Sequence, residues 1–453
     1  MRTPGRRPAF ALALWACLVV VYNANGREIG SVDSQPVKYT ARELALRGTL
    51  RLDQVIEELP GLAERPAFAV DRQGHYRSAY PVLPGLLAAV AAILLQGVGL
   101  IDMEAPLASS LIAALTASTL TAAAVALVFL ALCRLVPVRV ALTTAIGLGV
   151  GTNFWPVISQ TMWRHETVAF GCALALWAGL RPAGEAPGHR RLWIAGLGLA
   201  MAGAARPQVA PLVAVLLLWL AARSGRAAWR SAVVVAAVAA LDLGANYRWF
   251  GHVLGATPSL EAVHATVHDV SGSFGSVGEG LGGLLASPSR GLLIFSPVVF
   301  VAALGALTAW RRPRPQPDLW WLLLAAAVQL VAYAAYAVWW GGHTYGPRYA
   351  VDILVPLAPA GALGALWMSR RRWASAVGLA LLAWSVVVAG AGAFVFPNER
   401  WNTSPADVDR NHERLWQVRD TQIPRTLRTP LSPQNFGLFD RAAFRIARDT
   451  PDR

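Results

Sequence analysis

The residues best suited to chemistry are a carboxylate, Asp33, just past the first apolar run, and a donor-rich stretch far downstream, Gly341-Gly342-His343-Thr344-Tyr345-Gly346-Pro347-Arg348-Tyr349. Glycines let backbone come close to a ligand, and His343 and Arg348 carry donors suited to a phosphate. Gln35 and Lys38 follow Asp33, Arg206 opens the hairpin Arg206-Pro207-Gln208, and His165 sits in the turn Trp163-Arg164-His165-Glu166. Each also has an ordinary reading: arginines snorkel, tryptophans anchor at a membrane interface, and an isolated Asp caps a turn before a proline such as Pro36. The gathering of the whole set on one face is what points to a site.

That face is set by the membrane. At 453 residues, 55% hydrophobic and 15% charged, with a mean hydropathy of +0.44, the chain has too little polar surface to cover a water-soluble globule. The long apolar blocks also exclude a disordered chain. A net charge of +14 raises nucleic-acid binding as a question. The placement of the charge answers it. Arginines cluster between apolar runs, at Arg134 and Arg139; Arg181, Arg190 and Arg191; Arg223, Arg226 and Arg230; Arg311, Arg312 and Arg314; and Arg370, Arg371 and Arg372, as cytoplasmic loops do. No nucleic-acid partner is expected. Cys17, Cys133 and Cys172 all lie inside apolar blocks without metal-like spacing.

Apolar runs of spanning length fall near 8–23, 82–101, 107–132, 138–157, 166–180, 192–205, 207–222, 231–248, 291–310, 319–340, 349–368 and 374–396. The first follows Arg2, Arg6 and Arg7 and is read as an uncut anchor with its N-terminus inside, because Tyr22 spoils a signal-peptidase site after Ala24. The fold expected is all-α and polytopic. Twelve crossings would end inside, yet the late basic loops put the tail outside, so the number of transmembrane helices should be odd, 11 or 13. Either 82–101 dips without crossing or 107–132 splits in two.

This topology puts outside the first loop 24–80, the loop 249–290, the segment carrying His343 and Arg348, and the tail 397–453, which reads as a small or loosely ordered appendage to a membrane domain of residues 1–396. Thr40-Ala41-Arg42-Glu43 has the form of a capping box and Gly48 that of a stop, which predicts a short surface helix over 41–47. Glu261, His264 and His268 have the spacing of a metal half-site on one helix face, but no third segment clearly supplies further ligands. No metal is expected.

Several short motifs resemble GT-C glycosyltransferases, nearest to bacterial membrane enzymes related to protein O-mannosyltransferases and aminoarabinose transferases. They are Val32-Asp33-Ser34-Gln35-Pro36 with Gly48-Thr49-Leu50-Arg51-Leu52-Asp53, Thr161-Met162-Trp163-Arg164-His165, Ser287-Pro288-Ser289-Arg290-Gly291-Leu292 with Phe295-Ser296-Pro297, and Gly346-Pro347-Arg348-Tyr349. Together they cover most of residues 1–396. Family members often carry an acidic pair in the first loop, whereas Ser34 follows Asp33 here.

The resemblance implies a multi-pass protein of the cell inner (plasma) membrane that moves a sugar from a polyprenyl-phosphate donor to a hydroxyl of a lipid, polysaccharide or protein acceptor at the outer face. Asp33 would be the catalytic base, and Arg348, His343, Arg206 and Lys38 would hold the donor phosphate. His165, Tyr345 and Gln35 are further site candidates, and no cofactor is called for. The rival reading is a lipid or polysaccharide transporter or flippase. It calls for internal repeats and mid-span charges, of which Asp242 and Asp352 are the candidates.

Overall fold

A computed structural model describes residues 6–182, 185–311 and 317–439. Arg2, Arg312, Arg314 and the tail beyond residue 439 lie outside the described residues. Among the described residues the protein is all-α apart from one hairpin, β1 (Phe68–Val70) against β2 (Tyr76–Ser78), with Phe68 opposite Ser78, and an isolated bridge between Phe274 and Tyr336.

Helix α1 (Arg6–Asn23) leads into the first outer loop, which holds α2 (Gln35–Arg47), α3 (Asp53–Glu58), the hairpin and α4 (Leu83–Gly97). The bundle continues with α5 (Ala108–Leu132), α6 (Val138–Val150), α7 (His165–Gly179), α8 (His189–Ala205), α9 (Ala210–Ser224) and α10 (Trp229–Phe250). The second outer loop carries α11 (Thr257–Val267) and α12 (Val277–Ala286). Then come the short α13 (Leu292–Phe295), α14 (Phe300–Trp310), α15 (Pro317–Ala334), α16 (Leu354–Met368) and α17 (Arg372–Val395), with α18 (Gln422–Arg428) in the tail.

Among the described residues, five segments are long and apolar enough to cross a bilayer: Ala108–Leu132, Pro207–Phe250, Pro317–Ala334, Tyr349–Met368 and Arg372–Val395. Pro207–Phe250 is 44 residues long and turns at Gly225, at φ +55°, so it makes two passes as α9 and α10. Several other passes are shorter than the roughly 20 residues a full crossing needs. In α6 and α14 the length is completed by non-α backbone, a π-type turn at Phe154–Ile158 and a 3-10 turn at Pro297–Val299. Irregular backbone survives at membrane depth where protein surrounds it, and the two turns flank the outer half of the bundle.

Side-chain contacts bear on which run fails to cross. Helix α5 is a continuous 25 residues, so 107–132 does not split. Arg42 on α2 donates to the Met103 carbonyl (3.4 Å), and Lys38 reaches Ser110 Oγ at 3.0 Å. The chain before α4 and the chain after it therefore lie on one face, and α4 packs back along α2 without crossing. Eleven of the twelve apolar runs are then left as candidate passes among the described residues. The end of α17 returns to the end of α1, where Arg27 donates to the Phe396 carbonyl (2.6 Å) and Asn25 to that of Ala393 (2.9 Å).

Two local expectations change. Helix α2 begins at Gln35, with Pro36 in its first turn, and Thr40 Oγ1 bonds the Pro36 carbonyl inside the helix (2.7 Å), so Thr40 is no cap. Gly48 does end the helix, at φ +63°. Residues 397–439 form a packed cover rather than a loose appendage. Trp401 and Leu415 are fully buried, and the last turns bond the start of the first loop, Phe436 N to Asn25 O at 2.8 Å and Leu438 N to Gly26 O at 2.7 Å.

Candidate active site

The turn that presents Asp33 leaves its carboxylate free. Ser31 and Ser34 cap the turn reciprocally, with Ser31 Oγ accepting from Asp33 N at 3.2 Å, so the capping duty expected of Asp33 is done by serine. Asp33 instead accepts from the Tyr80 hydroxyl at 2.7 Å on Oδ1, and its Oδ2 lies 3.7 Å from Arg348 Nη1. Arg164 stacks on the Tyr80 ring, with its guanidinium carbon 4.0 Å from the centroid. Burial alone would raise the pKa of Asp33. The guanidiniums of Arg348 and Arg164 and the Tyr80 hydroxyl outweigh it and hold the carboxyl below the usual range. Asp33 is thus ionised at neutral pH, with 24% of its side chain exposed.

Arg348 reaches Asp33 because the preceding backbone bends through left-handed conformations at Gly341, Gly342 and Gly346. At Gly346 a Cβ would sit 2.5 Å from the Phe295 ring, so glycine is required for space as well as for φ. The guanidinium then lies between Trp163 (4.9 Å) and Tyr349 (5.4 Å). Beyond Tyr349 lies a second carboxylate. Asp352 accepts from Tyr333, sits 2.8 Å from His165 Nδ1 and lies 3.6 Å from Arg206 Nε, with none of its side chain exposed. Arg206 also faces the Tyr349 ring, at 5.7 Å. Arg164 Nε, Arg206 Nε, Arg348 Nε and His165 Nε2 are buried with no hydrogen-bond partner among the described residues. Arg164 and Arg348 stand beside Asp33, and Arg206 and His165 beside Asp352.

Of the residues singled out in the sequence, Asp33 and Arg348 are in direct contact, and Arg206 and His165 hold the adjoining carboxylate. Gln35 follows Asp33 at the start of α2, its Oε1 buried without a partner among the described residues. The other three are engaged elsewhere. Lys38 pairs with Glu28 at 2.7 Å, and Glu28 is held in turn by the Thr161 hydroxyl at 2.6 Å. His343 faces Asp407 (2.9 Å) and Asp409 (3.3 Å) of the tail. Tyr345 is a packing residue, with its hydroxyl on the Val388 carbonyl (2.9 Å) and its ring edge-on to Phe295.

The half-site of Glu261, His264 and His268 comes apart: Glu261 accepts from Ser273, and His268 turns toward Asp409. In the Ser287–Gly291 motif, Arg290 is a brace rather than a ligand, fully buried on Trp401 and donating to Asn402 (2.5 Å), Gln422 (2.9 Å) and the Ser289 carbonyl (2.8 Å). Tyr80 carried no pattern in the sequence. Arg164 stood in a noted turn, at a strained φ of +74°, and Asp352 had been counted as a mid-span charge.

No family model and no curated protein matches the chain. Among solved structures it is similar to the oligosaccharyltransferase AglB of the archaeon Archaeoglobus fulgidus in complex with an inhibitory peptide and a dolichol-phosphate (TM-score 0.48, 14% identity, over 97% of this chain and 64% of that one). It is also similar to an Archaeoglobus fulgidus oligosaccharyltransferase in complex with Zn and sulfate (TM-score 0.47, 15% identity, over 95% and 61%). The chain spans less than two thirds of the length of either.

Proposed function

We propose that this chain is a GT-C glycosyltransferase that moves a sugar from a polyprenyl-phosphate donor to an acceptor hydroxyl at the outer face of a plasma membrane. The observation that carries this is an ionised carboxylate, Asp33, set against Arg348 and Arg164, whose buried Nε donors are unmade. The acceptor oxygen attacks the anomeric carbon as its proton passes to Asp33. The bond from that carbon to the phosphate oxygen breaks, and its electron pair leaves with the phosphate. Direct displacement inverts the anomeric centre. A phosphate monoester has a second pKa near 6, so the leaving group needs no strong acid, only cations for its growing charge.

The two roles are coupled. While Arg348 serves Asp33, the carboxylate is a weak base; a donor phosphate drawing on Arg348 and Arg164 relieves Asp33 and lets its proton affinity rise. The base is thus strengthened when the donor is in place. An apolar groove of about 350 Å³ between α6, α14, α16 and α17, from Thr152 at its outer end to Arg139 at its inner end, suits the isoprenoid tail.

The test is transfer of label from a polyprenyl-phosphate sugar to membrane acceptors in cells expressing the protein. Transfer that appears with the wild type and disappears with Asp33→Asn is the expected result; undiminished transfer by that variant removes Asp33 from the reaction.

A further inference from the structure

His343, which lies away from Asp33, and Asp407 and Asp409 of the tail present one ligand atom each within 4.8 Å of one another. We propose that they bind a divalent transition-metal ion, that His268, beside Asp409 but outside this group of three, closes on the ion as a second nitrogen ligand when it binds, and that the ion fastens the tail to the segment that carries Arg348. The spacings support this. Metal bonds of about 2.0 to 2.2 Å in a tetrahedron put neighbouring ligand atoms about 3.3 to 3.6 Å apart. His343 Nε2 lies 3.3 Å, and His268 Nε2 3.5 Å, from Asp409 Oδ2. The closer pair, His343 Nε2 and Asp407 Oδ1 at 2.9 Å, shares a proton that the metal would displace to solvent.

The surroundings aim the ligands. His268 Nδ1 lies 2.8 Å from the His264 carbonyl, which fixes the proton on that nitrogen and leaves Nε2 with its lone pair. Trp340 Nε1 donates to Asp409 Oδ1 (2.8 Å), turning Oδ2 toward the histidines. Backbone N of Asp409 donates to Asp407 Oδ1 at 2.9 Å. A side chain at Gly342 would come within 3.2 Å of His268 Nε2, so glycine keeps the space open. His343 and Asp407 are 40% and 42% exposed, which gives an ion its way in. Imidazole with carboxylate suits zinc better than magnesium.

The experiment uses the full chain in detergent, stripped with EDTA, reloaded with Zn²⁺ or Mg²⁺, and freed of loose metal by gel filtration. One zinc per chain and a raised Tm are expected for the wild type. His343→Ala and Asp409→Asn should each weaken zinc binding about 10-fold or more, while their Tm without metal stays close to that of the stripped wild type. Equal zinc retention by the wild type and the His343→Ala/Asp409→Asn double variant, or a Tm that zinc does not move, overturns the proposal. Metal content and Tm do not depend on sugar transfer, so this outcome is separate from that of the proposed reaction.

Discussion

Asp33 and Asp352 are built from the same parts and differ in one respect. Each carboxylate accepts from a tyrosine, Tyr80 or Tyr333, and each faces an arginine, Arg348 at 3.7 Å or Arg206 at 3.6 Å. Asp352 has His165 as a third partner and no exposed surface, while Asp33 keeps 24% of its side chain open. A buried carboxylate with three partners ties α7, the end of α8 and α15 together. Asp33, in contact with Tyr80 and Arg348 and open on one side, keeps spare acceptor capacity. On the proposed reaction, exposure rather than the kind of neighbour separates a structural carboxylate from a base.

The comparison breaks first at Asp33. Asp33→Asn should lower transfer by about 10²- to 10⁴-fold, the size of a lost general base, with expression and Tm held, and a labelled-donor assay beside a melting curve reads both. Asp352→Asn should do the reverse, destabilising the protein by about 3 to 5 kcal/mol, as breaking a buried charge pair does. Denaturation in detergent checks it, and a folded, inactive Asp352→Asn protein would mean that the two carboxylates share the chemistry.

Arg348→Ala should raise the KM for donor about 10- to 100-fold, for a lost charged hydrogen bond of about 1.5 to 3 kcal/mol, and leave the KM for acceptor alone. It also sharpens the pH comparison. The pKa of Asp33 is depressed, so the carboxylate is deprotonated above that value and the base is lost only as pH falls through it, below the ordinary carboxylate range. In Arg348→Ala burial is left less opposed, and the acid limb of kcat/KM should move up in pH; an unmoved limb would assign it to another group.

Tyr80→Phe removes one hydrogen bond and should change kcat/KM by less than either charge substitution, with the acid limb again shifted upward. A change larger than that of Arg348→Ala would give Tyr80 a direct part in the reaction. Smallest in effect on activity is the topology test. Gln73→Cys and Glu104→Cys should both label from outside and Arg371→Cys should not, because α4 lies between two points on one face. Protection of Glu104→Cys would make α4 a crossing helix.

The sequence carried the sorting of faces, because arginine clusters between apolar runs report topology directly, and that sorting put Asp33 and Arg348 on one side. It pointed to an odd number of passes but not to which run fails to cross, since α4 is as apolar as a true span and only its contacts through Arg42 and Lys38 set it apart. Thr40-Ala41-Arg42-Glu43 matched a capping box while lying inside a longer helix, because Pro36 starts α2 earlier. The partners of His343 were out of reach, as Asp407 and Asp409 lie in a tail whose packing depends on contacts distant in sequence. Tyr80 follows the same rule: nothing in the residues around it marks it as the neighbour of Asp33.

The hydrogen bonds from Phe436 and Leu438 to Asn25 and Gly26 have a consequence for biosynthesis. The root of the loop that presents Asp33 is secured by residues that leave the ribosome more than 400 positions later. A nascent chain can insert every one of its membrane helices and still lack the support that sets its carboxylate. A chain released early would be an inserted protein whose first loop lacks this fastening.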